Sequence, residues 1–200
     1  MSAELMKAIE DAAVELPYEP APSVVSTNGK PRPAAEPAVT PPPVENKLVI
    51  ILSHGDFESV TAAMILANAS AAMEQETHIF CTFWGLFPLL RDDVRITGDN
   101  FMQRMLSFMN RGGLSHLKTS KFNFAGAGPA MFNVLRHKYN VASPKELVES
   151  AMDLGVKFHP CQMTMDMMGL KPEHMIDGLE PPAGAASVLM LGRGANNLFI

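Results

Sequence analysis

Cysteine is scarce in this sequence, and the scarcity excludes several chemistries at once. Cys81 and Cys161 stand far apart and form no C-x-x-C pair, which argues against both a zinc knuckle and a disulfide-stapled secreted fold. Two free thiols predict a reducing compartment, the cytoplasm. Long apolar runs are missing as well: nothing approaches the roughly 20 residues needed to span a bilayer. The first seven residues, Met-Ser-Ala-Glu-Leu-Met-Lys, lack the basic and then apolar pattern of a secretory signal. Strong net charge is also absent. A balance of −5 gives no overall pull toward nucleic acid or an anionic membrane, so nucleic acid is not an expected partner.

Proline near the start and apolar residues beyond it are what the chain does have. Nine prolines fall between Pro17 and Glu45, with few large apolar residues among them, which predicts a disordered, extended tail over 1–45. Within it Leu5, Met6, Ile9, Ala12, Ala13 and Leu16 recur at helical spacing over 3–16, enough for a short amphipathic helix that is marginal alone. The folded domain is predicted over 46–200, and 47% hydrophobic residues suffice for a core.

Lys47 to Leu52 is a continuous apolar run that suits a parallel strand buried on both faces. A helix is predicted over 57–73 and a second strand over 77–83, giving a βαβ unit and an α/β fold. The loop between strand and helix carries one glycine together with Asp56 and Glu58, a composition that repels phosphate and excludes a nucleotide-binding loop. Further helices are expected over 101–109, 130–139, 144–154 with Ser143 as N-cap, and 183–192. Strands are expected over 156–159, 174–179 and 197–200. Five strands with helices on both faces make a small doubly wound, mostly parallel sheet. The C-terminal ends of its strands gather His54, Trp84 and Cys161 at one edge, where such sheets place their sites. Trp84, Gly85 and the apolar residues to Leu90 need cover, as a roof over the site or as a subunit interface, which makes a homo-oligomer an expectation. Between Val94 and Asn140 the chain is formally +6, seven Lys and Arg against Asp99 alone, so the remainder is −11. That basic stretch is either a solvated face or a dock for an anionic partner.

The stretch Phe158-His159-Pro160-Cys161-Gln162-Met163 sets a lone cysteine between a strand and a short helix. Free amides and the positive dipole end of a helix favour a thiolate over a thiol. His159 can share the sulfur's side of an extended segment and is a candidate for support, and His54 is a candidate at the site's edge. No Ser-His-Asp pattern or adjacent carboxylate base accompanies Cys161, which argues against a hydrolase. Sulfur chemistry suits it better: such a thiolate can take a sulfane sulfur as a persulfide and hand it to another protein's thiol. That role needs no metal and no cofactor. Cys81, inside an apolar strand, reads as structural.

Cys81-Thr82-Phe83-Trp84-Gly85-Leu86, Cys161-Gln162-Met163-Thr164-Met165-Asp166-Met167-Met168-Gly169 and the terminal Leu198-Phe199-Ile200 resemble the DsrE/DsrF-like family, in its branch with a Phe-Trp-Gly motif. The resemblance covers about 47–200. It implies a flavodoxin-like fold, homo-oligomers, sulfur-donor and sulfur-acceptor proteins as partners, and sulfur transfer in cytoplasmic sulfur oxidation or trafficking with Cys161 as the sulfur-carrying residue. Some relatives in this branch carry hydrophobic membrane segments; the basic 94–140 stretch here is too polar to span, leaving at most a peripheral membrane contact. Two other readings compete. Cys161, Met165 and Met168 share a helix face near His159, a soft donor set suited to Cu(I), and a non-catalytic oligomeric interaction protein would need no chemistry at all.

Overall fold

The structure, a computed structural model, describes residues 46–94, 101–103, 105, 111–121 and 127–200. The expected helix over 3–16 and the proline-rich stretch to residue 45 lie outside them. So does much of the helix expected over 101–109, of which residues 101–103 and 105 are helical.

Strands β1 (Lys47–Leu52), β2 (Glu76–Cys81), β3 (Lys157–Pro160) and β4 (Asn196–Phe199) form one sheet in the order β3-β2-β1-β4, all pairs parallel. Helices are α1 (Phe57–Ala72), α2 (Ala127–Lys138), α3 (Pro144–Asp153), α4 (Gln162–Met168) and α5 (Ala185–Leu191). Alternation along each strand divides the core. Leu48, Ile50, Leu52, Ile79, Cys81 and Phe158 face one side, where Val60, Ala63, Met64 and Ala67 of α1 and Val148 and Ala151 of α3 cover them. Val49, Ile51 and Phe80 face the other, against Val188 and Leu191 of α5. The fold is therefore the expected α/β arrangement with helices on both faces.

Local chemistry explains the long helices. Asp56 caps α1 by accepting from the Ser59 amide at 2.9 Å. Its buried positions, Val60, Ala63, Met64, Ala67 and Ser70, follow helical spacing and are small enough for close approach to the sheet. Ser143 and Glu146 form a reciprocal capping box on α3, with Pro144 in its first turn. Ser150 Oγ donates to Asn68 Oδ1 at 2.7 Å, and Asn68 Nδ2 donates to the Leu147 carbonyl at 2.9 Å, so the two helices are joined by hydrogen bonds as well as by packing.

Two expectations need correction. The segment 174–179 is not a fifth strand, and the sheet has four strands among the described residues. Pro172 opens a single 3₁₀ turn, Pro172–His174, and Gly178 turns at φ 84. Between them Met175 makes one antiparallel bridge to Leu90, and the Ile176 amide donates to the Leu89 carbonyl at 2.9 Å. Strand β2 also stops at Cys81, two residues before its expected end, because Phe83 takes φ 47 and opens a 3₁₀ segment, Phe83–Leu89. The apolar residues from Gly85 to Leu89 are buried within the domain itself, while Trp84 remains 43% exposed.

Candidate functional site

Cys161 follows β3 and is the N-cap of α4. Its amide donates to the Cys81 carbonyl at 2.9 Å and the Gln162 amide to the Ala183 carbonyl at 3.1 Å, so the corner is held from both sides. The N-cap position turns the side chain toward the Met163 and Thr164 amides, which are orphan donors of the first turn. These amides act on the sulfur as aligned dipoles rather than as closed capping hydrogen bonds. Burial pushes the Cys161 thiol up, but the Thr164 hydroxyl, the Thr82 hydroxyl and the Thr164 and Met163 amides together hold it below its ordinary value. Cys81 has no such help: it is fully buried on the opposite face, and burial drives its pKa far upward.

The two threonines are the site residues that sequence reasoning missed. Both are buried, with their hydroxyl oxygens 3.1 Å apart. The Phe83 amide donates to Thr164 Oγ1 at 3.1 Å; either hydroxyl can donate across the Thr82–Thr164 contact, which leaves one of the two hydroxyl protons for the sulfur. Phe83 achieves this with a left-handed backbone, a conformation that disfavours a bulky residue and that clusters at functional sites. Thr164 was detectable in principle, because it occupies the third helical position after an N-cap, where side chains reach back to the cap. Thr82 was not, since only the pairing of β2 with β3 brings it beside Cys161.

His159 shares the sheet face of Cys161, but its ring is engaged elsewhere. Its Nε2 lies 2.9 Å from Nδ1 of buried His78, and the two rings stack. Burial lowers the pKa of both histidines, with His78 lowering His159 further and Glu76 partly offsetting the effect on His78. His54 sits at the end of β1 with Nδ1 2.9 Å from Ser53 Oγ. It lines a separate cleft with Trp84. Gly85 is a packing requirement: a Cβ there would collide with the Leu52 carbonyl oxygen. The soft-metal set does not converge, because Met165 and Met168 pack in the core of the α1 face while Cys161 packs with Val49 and Phe80 on the other. Exposed Phe83, Met163 and Met167, at 43%, 60% and 51%, flank the nearly buried cysteine, itself 4% exposed. No helix among the described residues is long and apolar enough to cross a membrane.

The chain is 36% identical over 154 residues to YrkE of Bacillus subtilis, an alignment that covers 77% of this chain and 96% of that protein. It is 29% identical over 159 residues to the sulfur carrier protein DsrE2 of Allochromatium vinosum, covering 78% of this chain and 99% of the relative. Among solved structures it is similar to the YchN protein of Escherichia coli, with a TM-score of 0.44 at 14% identity over 77% of this chain and 98% of that one. A family description, DsrE/DsrF/DrsH-like, matches residues 44–199. That match takes in every strand, both cysteines and the threonine pair, and on it the chain belongs to the DsrE/DsrF/DrsH-like family.

Proposed function

We propose that this protein is a sulfur carrier that holds sulfane sulfur as a persulfide on Cys161 and passes it to a partner thiol. The observation that carries the reading is the sulfur of Cys161, on which two hydroxyls and two amides converge in a chain without a second cysteine beside it. A relative of 29% identity is named a sulfur carrier, which supports the same chemistry here. In the loading step the Cys161 thiolate attacks the outer sulfur of a donor R-S-SH. A Cys161 S–S bond forms, the donor S–S bond breaks, and the donor leaves as R-S⁻. An acceptor thiolate then attacks the outer sulfur of Cys161-S-SH and Cys161 departs as thiolate. Charge and electrons balance in both steps, so no oxidant or cofactor is required.

The Thr164 and Thr82 hydroxyls and the dipoles of the first-turn amides stabilise the thiolate, which raises the fraction present as nucleophile and eases its departure as leaving group. The exposed Phe83, Met163 and Met167 provide an apolar landing surface for donor and acceptor proteins. The reading includes a homo-oligomer, supported by the open edge at β4 and the exposed Leu189, Met190 and Phe199 beside it. It includes a cytoplasmic setting, which suits two free thiols. The test is transfer: persulfidated protein is mixed with excess low-molecular-weight thiol and followed by intact mass. The protein should lose one sulfur atom as the thiol gains it. A persulfide that forms but persists under excess thiol would sink the carrier role.

A further inference from the structure

The C-terminal end of β1 carries a second concave site that the sulfur chemistry does not use. A cleft of about 190 Å³ opens there, lined by His54, Asp56, Trp84, Arg111, His116 and Lys118 among others. Its position is the one expected for a ligand in a doubly wound sheet. The strand order reverses at β1, with β2 and β3 on one side and β4 on the other.

The cleft is assembled from segments that are pinned together. The Phe57 amide donates to the Lys118 carbonyl at 2.9 Å, the Gly113 amide to the Phe87 carbonyl at 2.9 Å, and Ser115 Oγ to Asp92 at 2.7 Å. Ser120 donates to both oxygens of Glu58 from its amide at 3.0 Å and its hydroxyl at 3.2 Å. These bonds lay the basic stretch from Arg111 to Lys118 across the loop between β1 and α1. They also give both acids hydrogen-bond donors without removing their charge, so the cleft is lined by one carboxylate, Asp56, against Arg111 and Lys118. Asp56 is committed to the Ser59 amide and hydroxyl, at 2.9 Å and 3.0 Å, and Glu58 to Ser120. The first amides of α1 are largely consumed by the same contacts, so the positive character of the cleft comes from side chains rather than from a helix terminus. Ser53 Oγ donates to the Ile200 carbonyl at 3.1 Å and therefore accepts from Nδ1–H of His54, so Nε2 of the neutral ring is an acceptor and His54 lines the cleft without donating to an anion. Trp84, Phe87, Pro88 and Leu117 supply an apolar floor.

We propose that this cleft binds a small oxyanion with a tetrahedral head of the sulfate, thiosulfate or phosphate kind. Arg111 offers a planar fork to such a group, with His116 and Lys118 also lining the cleft. The site is independent of persulfide formation, because none of the groups acting on the Cys161 sulfur lines it.

Trp84 is the sole tryptophan of the chain and lines the cleft, so intrinsic fluorescence reports its occupancy. Full-length protein is titrated with sulfate, thiosulfate and phosphate separately, with ionic strength held constant by chloride. At least one should give a saturable change, and the ranking of the three identifies the anion preferred. Arg111→Ala should weaken that binding about tenfold, the loss of one charge-assisted contact, and Arg111→Lys should recover part of it. Cys161→Ser should bind as the native chain does. No saturable change with any of the three anions, or binding that Arg111→Ala leaves intact, overturns the proposal. Loss of binding in Cys161→Ser overturns it too, because it would place the anion at the cysteine.

Discussion

Replacing Thr164 by valine keeps the volume of a buried side chain and removes one hydroxyl, which isolates its contribution to the Cys161 thiolate. Thr164 is the largest of the groups that lower the Cys161 pKa, ahead of Thr82 and the two amides. A hydrogen bond to a charged partner contributes about 1.5–3 kcal/mol, and one pKa unit corresponds to about 1.4 kcal/mol. With Thr82 and the amides still in place, the Cys161 midpoint should rise by about one to two units. The Phe83 amide loses its acceptor at the same time, so stability should fall by about 1–3 kcal/mol. Alkylation rate against pH reads the first effect, with fully buried Cys81 as an unreactive internal reference; urea unfolding reads the second. A folded Thr164→Val protein whose alkylation midpoint matches the native one would refute the assignment of Thr164 to the sulfur. Thr82→Val should shift the midpoint in the same direction by less, because its hydroxyl is the weaker of the two.

Gly85→Ala should destabilise the domain by about 1–3 kcal/mol, the usual cost of overpacking, since the new Cβ meets the Leu52 backbone; an unchanged urea midpoint would contradict that packing. Burial lowers the folded pKa of His78 and His159, so the unfolded chain binds more protons below the ordinary histidine value of about 6.5 and stability must fall as pH drops through that range. Glu76, Lys157, Lys47 and Glu180 are the charged groups around the pair, and the lowered Glu76 value acts only at more acidic pH. Urea midpoints at about pH 7.5 and 5.5 should differ, and His159→Gln should narrow the gap; a gap unaffected by the substitution would assign the pH dependence to other groups. Deleting residues 1–45, the proline-rich tail, should leave the cooperative unfolding transition nearly unchanged, and a large loss of stability would show that the tail packs on the domain.

Much of the fold was legible because it is written in local chemistry. The apolar run of β1 and the Ser143 N-cap before α3 each predict an element from adjacent residues, and each stands where expected. The placement of Cys161 at a helix N-cap was visible for the same reason. Long-range pairing was less visible. Residues 174–179 contain Met, Ile and Leu and read as a strand, yet Pro172 and Gly178 bend the chain and its amides pair with the segment after β2. The threonine pair depends on two strands meeting in register, and no spacing rule joins residues 82 apart in the chain. His159 was placed on the correct face by strand alternation. Its partner, His78, lies on β2 two residues out of register, a diagonal neighbour that the sequence does not mark.

Polysulfide loading followed by intact mass spectrometry tests the central claim most directly. Native protein and Cys81→Ser should each gain one sulfur atom that dithiothreitol removes, and Cys161→Ser should gain none. Loading that survives Cys161→Ser, or that disappears in Cys81→Ser while that protein remains folded, would contradict the assignment of the persulfide to Cys161.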